Sequence, residues 1–226
     1  MLAQESNNTA LSQADLATYW ARREHEFAWA AGSMNPAAYP YTVGFEISIP
    51  YYDEESGVLH MLMRFPPGRF GCPLHRHFAV TETFVLRGEQ VVHRDPDANS
   101  WQALLAADPQ RREVGHYDHC GGPHELPHLE HGGEHGGLVL LAMRTGAMRT
   151  GEGNEQLLFQ YFNNDLTLKE PAPHKKLTVS KVVAGTRAQN NQAVPDASED
   201  TLYSLVKTQF GLNTRFGLNT LGHGPT

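Results

Sequence analysis

The sequence predicts an all-β protein, a sandwich or barrel with one helix near each end. Three observations carry that expectation. Short apolar stretches separated by Gly/Pro turns recur from residue 43 onward. Several of these stretches alternate polar and apolar residues with the period of two that marks a half-buried strand. Helical periodicity of any length occurs only near the two termini. A length of 226 residues suits one domain with appendages. We divide it into an N-terminal arm and helix (1–35), a barrel (36–185) and a tail with a short helix (186–226).

Taken in order, residues 1–11 read as a disordered arm. Ser12 opens a helix, with Ser12-x-x-Asp15 in the place of a capping box. Leu16, Tyr19, Trp20, Arg23 and Phe27 share one helical face, and Gly32 and Asn35-Pro36 are the stop signals. That face needs cover from the chain's own sheet or from a second subunit. Strands are predicted at Val43–Ile49 and at Val58–Phe65, the latter with Leu59, Met61, Met63 and Phe65 on one face and His60, Leu62 and Arg64 on the other. His75–His77 and Glu82–Leu86 follow, with Glu82, Phe84 and Leu86 on a common face. Arg87-Gly88-Glu89 reads as a turn, leading into Gln90–His93. Residues 94–112 read as an insertion opened by Asp-Pro-Asp-Ala-Asn, with a short helix at Trp101–Ala107. Val114–Cys120, Leu138–Met143, Leu157–Phe162 and Leu177–Val183 complete the strands. A final helix is expected over Glu199–Phe210, stopped by Gly211, before Phe-Gly-Leu-Asn-Thr occurs twice, at 210–214 and 216–220.

Composition bounds the function. Hydrophobic residues make up 40% and charged residues 19%, as in ordinary soluble globules. A net charge of −7 with no Lys/Arg-rich run argues against nucleic acid or an anionic membrane as partner. No apolar run is long enough to span a bilayer, and the first residues lack the basic and apolar regions of a signal peptide. A cytoplasmic protein is expected. The two cysteines, Cys72 and Cys120, form no disulfide framework and read as small, partly buried thiols. The 13 histidines are the outlier, with five between His119 and His135.

His75-x-His77 aims two imidazoles to one strand face. Glu82 follows, and Gly88 closes a stretch that began at Gly68. Two histidines and a carboxylate suit a divalent first-row ion with open coordination positions. Gly115–His124 offers a further nitrogen: His124 follows a Gly-Gly-Pro turn, and His116 and His119 lie on opposite strand faces. His128, His131 and His135 fall in a Gly-rich, hydrophilic run, Pro127–Gly137, that reads as a solvated loop for at least two of them.

The spacing of His75-x-His77, Glu82 and Gly88 resembles the first motif of the cupin superfamily. Gly115 through Pro123-His124 resembles its second, with Cys120-Gly121-Gly122-Pro123 replacing the usual proline–glycine arrangement and no closing Asn. The resemblance implies a small antiparallel jelly-roll barrel over residues of about 40 to 185, with His75, His77, Glu82 and His124 as the ligand set. Such a set holds Fe(II), Mn(II), Ni(II) or Zn(II), and oxygen chemistry favours iron. Met61, Met63, Phe84 and Leu86 are candidate pocket residues, with core filling as the competing role of each. Tyr117 and His119 are candidate proton carriers. The pattern is similar to small dioxygenases that cleave a C–C bond beside a ketone. It implies an iron-dependent dioxygenase acting on a small enolisable or aromatic ketone with dioxygen, with Glu82 both ligand and proton acceptor. A redox-neutral lyase, isomerase or cyclase is the alternative enzyme, and a non-enzymatic ligand-binding cupin the alternative outside enzymes. Exposed sheet edges and the apolar helix face favour a homodimer.

Overall fold

The computed structural model describes residues 10–31, 44–53, 56–68, 71–122, 124–144, 157–168, 177–178 and 199–212. The order is α1 (Gln13–Arg23), a short 3-10 turn at Glu24–Glu26, β1 (Ala30–Ala31), β2 (Glu46–Asp53), β3 (Val58–Phe65), β4 (His75–His77) and β5 (Val80–His93). There follow α2 (Trp101–Ala106), β6 (Gln110–Glu113), β7 (Tyr117–Cys120), β8 (Leu129–Arg144), β9 (Leu157–Tyr161), β10 (Leu177–Thr178) and α3 (Glu199–Gln209). The larger sheet runs β1-β2-β3-β8-β5-β6, with β7 also on β5, and the smaller runs β10-β9-β4. Every strand pair is antiparallel. The fold is the all-β antiparallel class that the sequence predicts, with a helix near each end.

Alternation on the central strands sorts side chains into two layers. Leu59, Met61, Met63 and Phe65 of β3 meet Val85 of β5, Val139, Leu141 and Met143 of β8, and Leu158 and Phe159 of β9 in a core between the sheets. The opposite faces carry Leu62, Phe84, Leu86, Leu138 and Leu140, covered by Leu16 and Trp20 of α1 and Leu202 and Val206 of α3. These central strands are apolar on both faces because both faces are buried. The apolar face of α1 therefore packs on the chain's own sheet. Trp20 Nε1 donates to Gln209 Oε1 at 3.1 Å, tying the two helices together.

Ser12 caps α1 as expected, accepting from the Asp15 N–H at 3.2 Å. The helix is shorter than its apolar pattern, ending at Arg23. Phe27 is already extended and stacks on Trp20, and the chain turns into β1 against β2. The stop signals Gly32 and Asn35-Pro36 lie outside the described residues, as do residues 1–9, most of the strand expected at Leu177–Val183 and the second Phe-Gly-Leu-Asn-Thr copy.

Three other expectations are corrected. Arg87-Gly88-Glu89 is not a turn but an irregularity inside the long β5, where the pairing register to β8 shifts. Gly88 takes φ +67° there. The Gly-rich run after Pro127 is not a loop: from Leu129 it is the first half of β8. Glycine is needed there because β5 and β8 approach closely, and a Cβ on Gly137 would stand 2.2 Å from the Glu89 carbonyl oxygen. Of the strand expected at Val114–Cys120 only Tyr117–Cys120 forms, as β7; Val114 and Gly115, the latter at φ +86°, make a turn from β6, a strand that lies almost wholly in the stretch read as an insertion.

His60 lies on the outer face of β3, buried between the rings of Tyr51 and Tyr203 at 5.2 and 5.0 Å. Burial lowers its pKa to about 4, and the Arg144 charge acts in the same direction. The folded value lies below the ordinary one. The unfolded chain therefore binds a proton that the folded chain refuses, and His60's contribution is full above about pH 6.5 and lost as pH falls toward 4. The loss is about 3 kcal/mol on a scale of about 1.4 kcal/mol per unit. Urea unfolding at pH 7 and pH 4.5 should show a smaller acid penalty in His60→Leu than in wild type; equal penalties would refute the assignment.

Candidate metal centre

The site begins with β4. Its pairing with β9 sets His75 opposite Tyr161 and His77 opposite Phe159, and strand alternation turns both imidazoles inward. Both are 3% exposed. The third imidazole comes from the residue that leads into β8. His75 and His128 exchange both backbone hydrogen bonds, at 3.2 and 2.8 Å, so their side chains share a face. Ring centroids stand 5.3 Å apart for His75–His77, 4.5 Å for His75–His128 and 5.1 Å for His77–His128. One ring nitrogen from each lies within 4.8 Å of the others.

The outer nitrogens are all engaged. His75 Nδ1 lies 2.6 Å from the Pro73 carbonyl oxygen, His128 Nδ1 3.2 Å from that of Leu126, and His77 Nδ1 3.4 Å from Cys120 Sγ. Nδ1–H donated to a carbonyl leaves the lone pair on Nε2, the orientation of a metal-ligating histidine. His77 Nε2 is buried with no hydrogen-bond partner. Glu130 supplies a carboxylate. Its Oε2 accepts from Gln90 Nε2 at 2.6 Å, while Oε1 is buried, has no hydrogen-bond partner among the described residues and lies 3.8 Å from His75 Nε2.

Burial lowers the pKa of His75 and holds those of His77 and His128 well below the ordinary value, which keeps all three neutral and their lone pairs available. Burial also raises the Glu125 carboxyl to about 7, against the pull of Arg94 and the His77 backbone N–H, and raises the Cys120 thiol to about 12. A buried imidazole nitrogen, His77 Nε2, and a buried carboxylate oxygen, Glu130 Oε1, without partners among the described residues are costly unless a cation takes them up. Three neutral imidazoles and one carboxylate fit a divalent first-row ion with open positions.

Of the ligand set implied by resemblance, the structure brings two members together and places the other two elsewhere. The structure brings His75 and His77 together, but Glu82 does not join them. It shares a face with Phe84 and Leu86, as alternation requires, and that face is the outer one under the helices. There Glu82 Oε1 accepts from Tyr117 Oη at 2.8 Å, Oε2 accepts from Tyr203 Oη, and Lys207 Nζ lies 3.7 Å away. His124 is exposed on the turn before β8. The residues that the structure brings beside His75 and His77 are His128 and Glu130. Their sequence signal was available: His128-Leu129-Glu130 has the same i, i+2 spacing as His75-x-His77, but its glycine-rich surroundings concealed a strand.

The expected pocket changes too. Met61 and Met63 fill the core between the sheets, Phe84 and Leu86 pack under the helices, Tyr117 serves Glu82, and His119 is exposed on β7. A cavity of 510 Å³ instead opens beside Glu130, lined by Cys72, Val91, Trp101, Leu105 and His131 among others. Trp101 and Leu105 belong to α2, so the 94–112 insertion walls this cavity. Its Leu104 anchors the helix against Leu74, Leu129 and Phe162. In the cavity wall His93 Nε2 and His131 Nε2 are 3.2 Å apart.

No protein-family profile matches the sequence, and no curated protein matches it. Solved structures do match in outline. An acetylacetone dioxygenase from Acinetobacter johnsonii is 9% identical, with 70% of this chain and 86% of that one covered at a TM-score of 0.48. The DMSP lyase DddQ from Ruegeria pomeroyi is 15% identical, with 66% and 71% covered at 0.41. A cupin-like protein from Thermotoga maritima is 13% identical, with 73% and 97% covered at 0.42. No described helix is long and apolar enough to cross a membrane. What this chain can do chemically is read from its own side chains: it is an all-β antiparallel protein with an inward group, His75, His77, His128 and Glu130, able to hold a metal ion.

Proposed function

We propose that this protein is a metal-dependent enzyme of the cupin kind. His75, His77 and His128 hold a divalent first-row ion through Nε2, with Glu130 as the fourth donor. The substrate is a small enolisable or aromatic ketone, and iron(II) with dioxygen is the favoured pairing. The single observation that supports this most is the convergence of three neutral, buried imidazoles on one point beside a carboxylate oxygen that no described group satisfies.

Bound there, such an ion supplies a Lewis acid with open positions and, if redox-active, a route for dioxygen. The chain's own residues do the rest. Trp101, Leu105 and Val91 give the cavity apolar walls for a ring or alkyl body and exclude water around the reacting carbon. Glu130 joins the cavity to the histidines, and its Oε1, when not bound to the ion, is the oxygen that would accept a proton leaving an enolisable carbon. Gln90, at 2.6 Å, holds the other carboxylate oxygen and fixes the direction in which Oε1 faces.

A redox-neutral lyase or isomerase is the second reading. The His93–His131 pair favours it, because a second set of nitrogens in the cavity wall can relay protons without an oxidant. One experiment separates them. Protein purified anaerobically is analysed for metal, then followed in an oxygen electrode with acetylacetone and hydroxyacetophenones. Iron at one per chain with oxygen uptake matched to substrate loss is the expected result. Zinc with no uptake would move the assignment to the redox-neutral class, and absence of any metal would end both.

A further inference from the structure

Both cysteines of the chain stand against the imidazole–carboxylate group. Cys72 is buried beside Glu130, its backbone N–H donating to the Glu130 carbonyl oxygen at 2.9 Å. Cys120, on β7, places Sγ 3.4 Å from His77 Nδ1 and within 4.8 Å of a Glu125 carboxylate oxygen. Glu125 is fixed from two other sides, by the His77 backbone N–H at 2.9 Å and by Arg94 Nη2 at 2.9 Å.

His77 differs from its two neighbours in one respect. The Nδ1 atoms of His75 and His128 face backbone carbonyls, which only accept and so settle the tautomer. His77 Nδ1 faces a thiol, which can donate or accept. Glu125 settles the choice. Ion-paired to Arg94 at 2.9 Å, Glu125 is the stronger acceptor of the two groups near Sγ, which directs the S–H to Glu125 and leaves a sulfur lone pair toward His77. His77 then carries its proton on Nδ1 and its lone pair on Nε2. The other tautomer would put an N–H where Nε2 is buried with no partner among the imidazoles.

We infer that Cys120 is a positioning residue: oriented by Glu125, its sulfur fixes the tautomer and ring direction of His77 and so sets the affinity of the centre for its ion. This rests on the metal reading above. A competing arrangement uses the same atoms, since His77, Cys120 and Glu125 also present three donor atoms within 4.8 Å of one another. The Arg94 cation on the Glu125 carboxylate opposes a second ion at that place.

Two measurements test the inference, one with metal and one without. Metal-free wild type, Cys120→Ala and Cys120→Ser are titrated with cobalt(II). Wild type should take up one ion with visible d–d bands and no thiolate-to-cobalt charge transfer. Cys120→Ala should bind about 10- to 100-fold more weakly, as loss of a residue that orients a ligand does. Cys120→Ser, whose hydroxyl can accept from Nδ1 and donate to Glu125, should recover most of the loss. Unchanged affinity in Cys120→Ala, or a charge-transfer band in wild type, overturns the proposal. Nitrogen-detected NMR of the metal-free protein reads the tautomer directly. His77 should be the Nδ1–H form in wild type and mixed in Cys120→Ala. An Nε2–H form in wild type overturns the proposal whatever cobalt does. Failure of wild type to bind cobalt, with the Nδ1–H form present, overturns the metal reading and leaves the tautomer assignment standing.

Discussion

His128→Ala abolishes metal retention, and His124→Ala leaves it intact: that is the first result expected of this site. His128 is 1% exposed and stands within ring contact of both His75 and His77, whereas His124 is exposed on a turn. Losing one of three imidazoles should weaken binding by more than the roughly 10- to 100-fold typical of a residue that only orients a ligand. The contrast is read by elemental analysis after dialysis. It also appears in stability. An ion that binds only the folded chain adds about 4 kcal/mol at a thousandfold excess over its Kd. In a chain of this size that is a shift of about 10 °C in melting temperature. Wild type and His124→Ala should both show the shift on adding metal, and His128→Ala should not. Loss of metal in His124→Ala with retention in His128→Ala would reverse the assignment.

The second large effect separates two glutamates. Glu82→Ala should destabilise the protein by about 1–3 kcal/mol, because it removes the acceptor of the half-buried Tyr203 hydroxyl and of the exposed Tyr117 hydroxyl and takes the carboxylate away from the buried Lys207 ammonium. Its metal content should be unchanged. Glu130→Gln should show the opposite pattern: a near-normal denaturation midpoint in the metal-free state and weakened metal binding, since an amide is a poorer donor to a cation than a carboxylate. Chemical denaturation paired with metal analysis on both variants checks this. Metal loss in Glu82→Ala at undiminished stability would restore Glu82 as a ligand.

The sequence carried the strand face of His75 and His77 plainly, because i, i+2 spacing on a strand has one geometric meaning. It carried the grouping of Glu82 with Phe84 and Leu86 as well, but not the side of the sheet on which that group lies. Both faces of β5 are apolar, so alternation defines two sets and leaves open which one faces the second sheet. The helices α1 and α3 decide it by covering Phe84 and Leu86, and Glu82 goes with them. His128 and Glu130 were hidden for a different reason. The glycines at 132, 133, 136 and 137 read locally as a loop, yet they are what lets β8 cross β5 at backbone contact distance. The cavity was the least legible feature. Trp101 and Leu105 reach Glu130 only because α2 folds back over β5 and β8, and no local pattern encodes that placement.

The tie between the two ends of the chain bears on the order in which the protein is assembled. Trp20 and Leu11 both bond to Gln209, and Leu16 and Trp20 share their apolar cover with Leu202 and Val206. During synthesis, α1 emerges long before α3 exists, and the face of the large sheet that β3, β5 and β8 present to them stays partly bare until the last helix arrives. The contacts that complete this layer span nearly the whole described chain, and closing contacts of such sequence separation is entropically demanding. A nascent chain stalled short of α3 would therefore present Leu62, Phe84, Leu86 and Trp20 to solvent, a surface for chaperones or aggregation, while the histidines on the other side of the sheet had already been brought together.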